Sequence, residues 1–208
     1  MGSSFAGLTA SEYNDWRETA DLQSAEKKLV WPLICRSSHK KILDLGCGTG
    51  LWSRLAAEVH SESSVVGVDV SPDMIACAQK LSEPRLSYLI ADCSRPQNFG
   101  AFDLIICGMS ADYIGFPHVV RTVASSLTAP GQAYIWILDP SNYEKRRNEY
   151  VKRWSFENRV LTATAPVFDP HQVYAQFKDA DLRVKEDGAD FRLSDGKTRQ
   201  LLVYIISR

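Results

Sequence analysis

The residues best placed to do chemistry lie together in Asp44-Leu45-Gly46-Cys47-Gly48-Thr49-Gly50, where a carboxylate opens a glycine-rich turn straight after an apolar run. Glycine tolerates positive φ and lets a backbone approach a ligand closely. A helix starting just beyond such a turn presents unpaired N–H groups and a partial positive charge. Asp69 closes the next apolar run and Asp92 follows the one after it. One ionised carboxylate can accept two charge-assisted hydrogen bonds from a vicinal diol, so Asp69 suits a ribose. The G-x-G-x-G spacing departs from the G-x-G-x-x-G fingerprint of nicotinamide dinucleotide sites. A carboxylate at Asp44 would also repel a pyrophosphate, whereas it suits a ligand carrying an ammonium group beside its own carboxylate. A methionyl moiety has that combination.

The segment Asp44–Gly50 resembles motif I of the class I S-adenosylmethionine-dependent methyltransferases. Val66-Gly67-Val68-Asp69-Val70-Ser71-Pro72-Asp73-Met74 resembles that family's second strand with its ribose-binding acid, and Ala91-Asp92-Cys93 the segment after its third. The resemblance runs from about residue 40 to 139 and, more loosely, through the C-terminal strands. Singly, an Asp or Gly at a turn is usually only a turn former; three motifs in order carry more weight. The resemblance implies S-adenosyl-L-methionine as cofactor and S-adenosyl-L-homocysteine as product. It implies that Asp44 faces the methionyl amino group and that the Gly46, Cys47, Gly48 and Gly50 backbone lies along the methionine and ribose. Asp69 would take both ribose hydroxyls, Met74 would pack on the adenine, Asp92 would bond its exocyclic amine and Cys93 N–H a ring nitrogen, with Val70 also among the cofactor-binding residues. Cys107 and Gly108 would pass beneath the sulfonium, and Tyr13 and Trp16 would close over the cofactor. Cys47, Cys77 and Cys107 read as small packing residues rather than nucleophiles.

A sulfonium methyl is already electrophilic, so holding an acceptor in line is the main task and a general base is optional. Asp112, Tyr113 and His118 follow the fourth apolar run and are the nearest acid–base candidates. A loop cap, a packing aromatic and a solvated helix-start histidine are the ordinary readings of the same three residues. No Asn/Asp-Pro-Pro-aromatic motif follows that run, as family members acting on nucleic-acid bases commonly have. Lys and Arg (24) nearly balance Asp and Glu (25), so no basic field favours nucleic acid or an anionic membrane. The basic run Lys145-Arg146-Arg147 with Lys152 and Arg153, interleaved with Glu144 and Glu149, reads as a solvated helix face. The expected activity is methyl transfer to an O, N or S atom of a small, partly apolar acceptor. An aminopropyltransferase of the same fold, or a silent cofactor-binding scaffold subunit, are the rival readings.

The elements that must position these residues are legible in the pattern. Lys41–Leu45, Val65–Asp69, Leu86–Ile90, Phe102–Cys107 and Gln132–Leu138 read as buried strands alternating with helix-like stretches. Such alternation implies right-handed βαβ units and a mainly parallel sheet. Leu182–Glu186 and Leu201–Ile206 read as an antiparallel hairpin. The expectation is an α/β fold: one Rossmann-like αβα domain over 1–208 with a seven-stranded sheet. It has an N-terminal helical lid at 5–35, a cofactor core at 40–139, a helical acceptor lid at 140–181 and the hairpin at 182–208. Thr9–Glu12 and Ser141–Glu144 read as capping boxes opening the two lids. Phe5, Tyr13, Trp16 and Trp31 in one, and Tyr143, Tyr150, Trp154, Phe156, Phe168 and Tyr174 in the other, either line an acceptor pocket or fasten helices to the core. Five scattered cysteines without a CxxC pair suit a reducing cytoplasm and no metal clip. No apolar stretch approaches a membrane span or an export signal.

Overall fold

The computed structural model describes residues 7–19, 21–156, 159–192 and 196–208. Phe5 lies outside them, as do the side chains of Trp154 and Phe156. Three helices come first: α1 (Ala10–Thr19), α2 (Asp21–Leu29) and α3 (Trp31–Ile34). The five apolar runs then form β1 (Lys41–Leu45), β2 (Ser64–Asp69), β3 (Leu86–Ile90), β4 (Phe102–Gly108) and β5 (Leu127–Leu138). Between them run α4 (Leu51–Val59), α5 (Pro72–Lys80), α6 (Ala111–Ile114) and α7 (Phe116–Ser126). Strands β1 to β5 pair in parallel in the order β3-β2-β1-β4-β5. The sheet continues through β10 (Thr198–Ser207), antiparallel to β5, to β9 (Arg183–Arg192), giving seven strands. The expected α/β architecture and terminal hairpin are present.

Alternation along the strands divides the interior into two cores. Leu43, Ile105, Cys107 and Ile135 face one side, where Val119 and Val123 of α7 and Val173 and Phe177 of α8 (Pro170–Asp179) cover them. Ile42, Leu104, Ile106 and Trp136 face the other, against Trp52 and Ala56 of α4 and Ile75 and Ala78 of α5. Strands buried on both faces have no polar register, which is why they read as unbroken apolar runs. The helix starts follow their local chemistry. Thr9 Oγ1 accepts from Glu12 N (3.2 Å) while Glu12 Oε2 accepts from Thr9 N (2.9 Å), a reciprocal box that starts α1. Ser71 Oγ accepts from Met74 N at 3.4 Å, and Pro72 occupies the first turn of α5.

Residues 140–181 correct the expectation of a helical lid. They hold a short 3-10 turn (Pro140–Asn142), then an antiparallel sheet of β6 (Glu144–Arg146), β7 (Glu149–Phe156) and β8 (Arg159–Pro166), and only then α8. The Ser141–Glu144 box does not form. Asp139 Oδ1 accepts from Ser141 N (2.7 Å), while Glu144 lies in β6 and accepts from Arg146 Nε and Arg153 Nη1, both at 2.6 Å. The alternating charges that mimic a helix face lie along two strands, where Glu144 takes Arg146 from its own strand and Arg153 diagonally from β7. Aromatics fasten this sheet to the body: Tyr143 to Tyr150 (6.0 Å between centroids), Tyr150 to Phe168 (5.7 Å) and Phe168 to Phe116 of α7 (4.9 Å). Among the described residues no helix is long and apolar enough to cross a membrane.

Candidate active site

Strand order reverses at β1, between β2 and β4, and open α/β sheets hold ligands beyond the carboxyl ends of the strands at such a point. A cavity of about 350 Å³ opens there, bordered by Gly46 and Gly48 after β1, Asp69 at the end of β2, Asp92 after β3 and Gly108 at the end of β4. Tyr13, Trp16 and Arg17 of α1 cover it, and Met74, Tyr113 and Lys152 complete its wall.

The glycine turn is shaped by its surroundings. Gly46 has φ +67°, and a Cβ there would lie 2.5 Å from Ser110 Cβ and Oγ. Ser110 Oγ in turn donates to Leu45 O at 2.9 Å and ties the exit of β4 to that of β1. Gly48, at φ +54°, donates its N–H to Asp69 Oδ2 at 2.9 Å. Ser71 N donates to Asp69 Oδ1 at 2.9 Å. Asp69 is thus gripped by one backbone amide on each oxygen and keeps further acceptor capacity toward the cavity. Burial raises its pKa and the amide bonds oppose that shift.

Other predicted cofactor residues separate into two groups. Tyr13, Trp16, Gly46, Gly48, Asp69, Val70, Met74, Asp92, Cys93 and Gly108 all border the cavity. Tyr13 and Trp16 lie tilted with centroids 5.7 Å apart. Asp92 borders it with its carboxylate already engaged by Ser94 N (3.0 Å), Ser94 Oγ (2.5 Å) and Arg95 Nε (3.1 Å). Asp44, Cys47, Gly50 and Cys107 stand behind the wall. The β1 alternation that sends Leu43 and Leu45 to one core turns Asp44 toward α4, where Ser53 Oγ donates to it at 2.6 Å. Asp44 is 2% exposed, and burial, with the neighbouring charge of Asp69 adding, pushes its pKa up to about 7. It therefore backs the loop instead of facing the cavity. Gly50 abuts the Tyr88 hydroxyl, and Cys107 Sγ lies 3.3 Å from Ser110 Oγ. Burial raises the thiols of Cys47 and Cys107 and pushes Cys93 to about 12, so none is a thiolate at neutral pH.

The acid–base candidates also change place. His118 is half-buried at the start of α7, with Nδ1 3.4 Å from Arg121 Nη1, and does not border the cavity. Asp112 is 2% exposed and accepts a hydrogen bond from Lys152 Nζ, so it is an ion-pair partner set back from the cavity and not a free base. Tyr113 does border the cavity, and burial with the nearby Asp112 charge raises its pKa far above the ordinary value.

Two cations were not singled out by the sequence. Arg17 lies four residues beyond Tyr13 and so shares its helix face, a spacing that could have revealed it. Its Nη2 donates to Glu26 Oε2 at 2.7 Å, and Glu26 Oε1 accepts from Trp136 Nε1 at 2.9 Å. Arg17 Nη1 is buried with no hydrogen-bond partner among the described residues, a donor placed for an anion in the cavity. Lys152, read from sequence as part of a solvated helix face, is 1% exposed on β7 and borders the same cavity. Its ammonium lies 4.0 Å from the Tyr113 ring centroid and 4.9 Å from that of Tyr143.

A carboxylate with acceptor capacity left over, a bare-backbone glycine turn, an apolar Met74 wall and a buried guanidinium N–H are of the right chemistry for the ribose, methionyl chain, adenine and carboxylate of S-adenosylmethionine. Among the described residues no group of three or more His, Cys, Asp or Glu is placed to hold a metal ion. Residues 42–131 match the sequence family described as "Methyltransferase domain". A malonyl-[acyl-carrier protein] O-methyltransferase of Anoxybacillus flavithermus is 30% identical over 52% of this chain and 44% of its own. A trans-aconitate 2-methyltransferase of Deinococcus radiodurans is 25% identical over 75% of this chain and 55% of its own. The chain thus spans about half the length of the curated relatives it matches. Among solved structures, an S-adenosylmethionine-dependent methyltransferase from Mesorhizobium loti superposes with a TM-score of 0.66 at 20% identity, covering 90% of this chain and all of that one. Another, from Clostridium acetobutylicum, gives 0.64 at 16% identity over 95% and 96% of the two chains. At such identities the superpositions speak for the fold, and they do so together with the matched domain, the glycine turn and the gripped acid after β2. Residues 42–131 thus carry a methyltransferase domain, and the fold around them is that of the S-adenosylmethionine-dependent methyltransferases.

Proposed function

We propose that this chain transfers a methyl group from S-adenosylmethionine to a small-molecule acceptor by in-line displacement. The observation that carries the reading is the Asp69 carboxylate, held on both oxygens by the Gly48 and Ser71 amides and turned to the switch-point cavity. In this reading Asp69 takes the ribose hydroxyls, Met74 and Val70 flank the adenine, and Gly46 and Gly48 pass along the methionyl chain. Arg17 Nη1 takes the methionyl carboxylate, and Tyr13 and Trp16 exclude water above it. When bound, the cofactor supplies an electrophilic methyl carbon, so orienting the acceptor is the protein's main contribution, about 7–11 kcal/mol in favourable cases. An organic-acid acceptor is supported by relatives whose names specify a malonyl group and trans-aconitate. A reducing, cytoplasmic setting belongs to the same reading, supported by five free cysteines.

Calorimetric titration with S-adenosylmethionine and S-adenosylhomocysteine, with NAD as control, tests it. Binding of both sulfur ligands, none of NAD, and loss of about 3–6 kcal/mol of affinity in Asp69→Ala are expected, from two charge-assisted hydrogen bonds of roughly 1.5–3 kcal/mol each. Absence of binding by either sulfur ligand would remove the reading.

A further inference from the structure

We infer that the acceptor is a carboxylic acid whose ionised carboxylate is held by Lys152 on the β4 side of the cavity and methylated on oxygen. The inference deepens the methyltransferase reading and rests on it.

An ammonium group with only 1% of its side chain exposed is costly to bury unless anions and hydrogen bonds compensate it. Asp112 provides one partner, and the faces of Tyr113 and Tyr143 favour the charged form. The bond to Asp112 uses one of three donors, and the ammonium also borders the cavity. Lys152 reaches it from β7, outside the seven-stranded sheet that carries Asp69.

The titratable groups around the cavity point the same way. Asp69 is held by two amides and Asp92 by Ser94 and Arg95, which keep the latter ionised and occupied. Tyr13, Tyr113 and Cys93 are all raised by burial, and no histidine is among the described residues that border the cavity. Burial lowers the Lys152 ammonium and raises the Asp112 carboxyl, while their mutual hydrogen bond opposes both shifts, so each is engaged by the other and neither stands free as a base for an alcohol or phenol. A carboxylic acid, with an ordinary pKa near 4, needs none. Its oxygen lone pair forms the new O–CH3 bond as the S–CH3 bond breaks, and that electron pair stays on sulfur. Anion and sulfonium cation become a neutral methyl ester and a neutral thioether, with no proton released. An alcohol, phenol, thiol or ammonium acceptor would release a proton at each turnover.

The test uses the full chain loaded with S-adenosylhomocysteine and titrated with benzoate, octanoate and succinate, against benzamide and octanol. Wild type is compared with Lys152→Arg and with Lys152→Met/Asp112→Asn, which removes both buried charges together and so avoids stranding one. Turnover with labelled S-adenosylmethionine is followed in a weakly buffered pH indicator. Carboxylates are expected to bind while the neutral analogues do not. The double variant should weaken acid binding about 10- to 100-fold with unchanged S-adenosylhomocysteine affinity, and Lys152→Arg should retain part of it. Product should be an alkali-labile ester formed without acidification. No binding by any of the acids, equal acid binding by the double variant, or acidification at each turnover overturns the inference. Failure to bind S-adenosylhomocysteine at all overturns the underlying methyltransferase reading instead.

Discussion

Glu26 decides whether the N-terminal helices stay closed over the cavity. It is fully buried on α2, and its two oxygens take Arg17 Nη2 at 2.7 Å and Trp136 Nε1 at 2.9 Å, joining α1, α2 and β5. Glu26→Gln keeps an oxygen for Trp136 and nearly the same volume but removes the charge opposite Arg17. Breaking a buried pair from one side costs about 3–5 kcal/mol, because the remaining ion has no counter-charge. Removing both ions in Arg17→Met/Glu26→Leu leaves no uncompensated charge, strands the indole N–H at about 1–3 kcal/mol, loses the bond between Arg17 and Tyr13, and can regain packing. The double variant should therefore be more stable than Glu26→Gln despite carrying more substitutions. Urea unfolding followed by circular dichroism reads both, with slopes compared to confirm that the same surface is exposed. A cost below about 1 kcal/mol for Glu26→Gln, or no coupling between positions 17 and 26 in the mutant cycle, would refute the assignment of a charged clip.

Gly46→Ala must displace Ser110, whose Cβ would sit 2.5 Å from the new methyl, at a backbone of φ +67°, so a loss of about 2–4 kcal/mol is expected in thermal melts. Gly48→Ala meets nothing closer than Tyr13 Cε1 at 3.5 Å and should lose only the left-handed penalty of about 1–2 kcal/mol; equal losses would count against the Ser110 clash. Asp44, raised from 3.8 to about 7, is protonated in the folded chain where the unfolded chain is ionised. Its contribution is therefore lost as pH rises from about 4 to 7, at up to about 1.4 kcal/mol per pH unit, and is level above that. Asp44→Asn should remove this part of the slope in pH-dependent unfolding. His118→Ala should leave turnover and S-adenosylmethionine affinity unchanged, since the ring sits beside Arg121 and away from the cavity; a large fall in turnover would show otherwise.

A central strand such as β4 was legible because burial on both faces leaves a nearly unbroken apolar run, and it extends one residue further than the pattern put it; β1 and the edge strand β3, whose Leu89 and Ile90 are exposed, fall where the pattern put them. The Thr9–Glu12 box and the Ser71-Pro72-Asp73 helix start are local, and local chemistry suffices for them. The inserted sheet was missed because Glu144, Lys145, Glu149 and Arg153 carry the spacing of a helix face, while burial of Tyr150, Val151 and Lys152 in succession erases the two-residue alternation of a strand. Asp44 was placed by motif at the cavity, which it does not border, since orientation depends on strand pairing and not on the motif. Arg17 and Lys152 owe their roles to tertiary burial, which a charged letter in a sequence does not display.

Between β5, which ends at Leu138, and α8, which begins at Pro170, the chain leaves the main sheet and then returns to pack α8 on the face that carries Leu43 and Ile135. Lys152 reaches the cavity from within that one continuous excursion, whereas the glycine turn, Asp69 and Asp92 come from β1 to β3 and the segments just after them. The wall that differs most in chemistry from the rest is therefore encoded as a cassette, bounded by two elements that need not move when it is exchanged. Evolution, or an engineer, can swap residues 139–169 as a block and alter what enters from that side while the remaining walls keep their register.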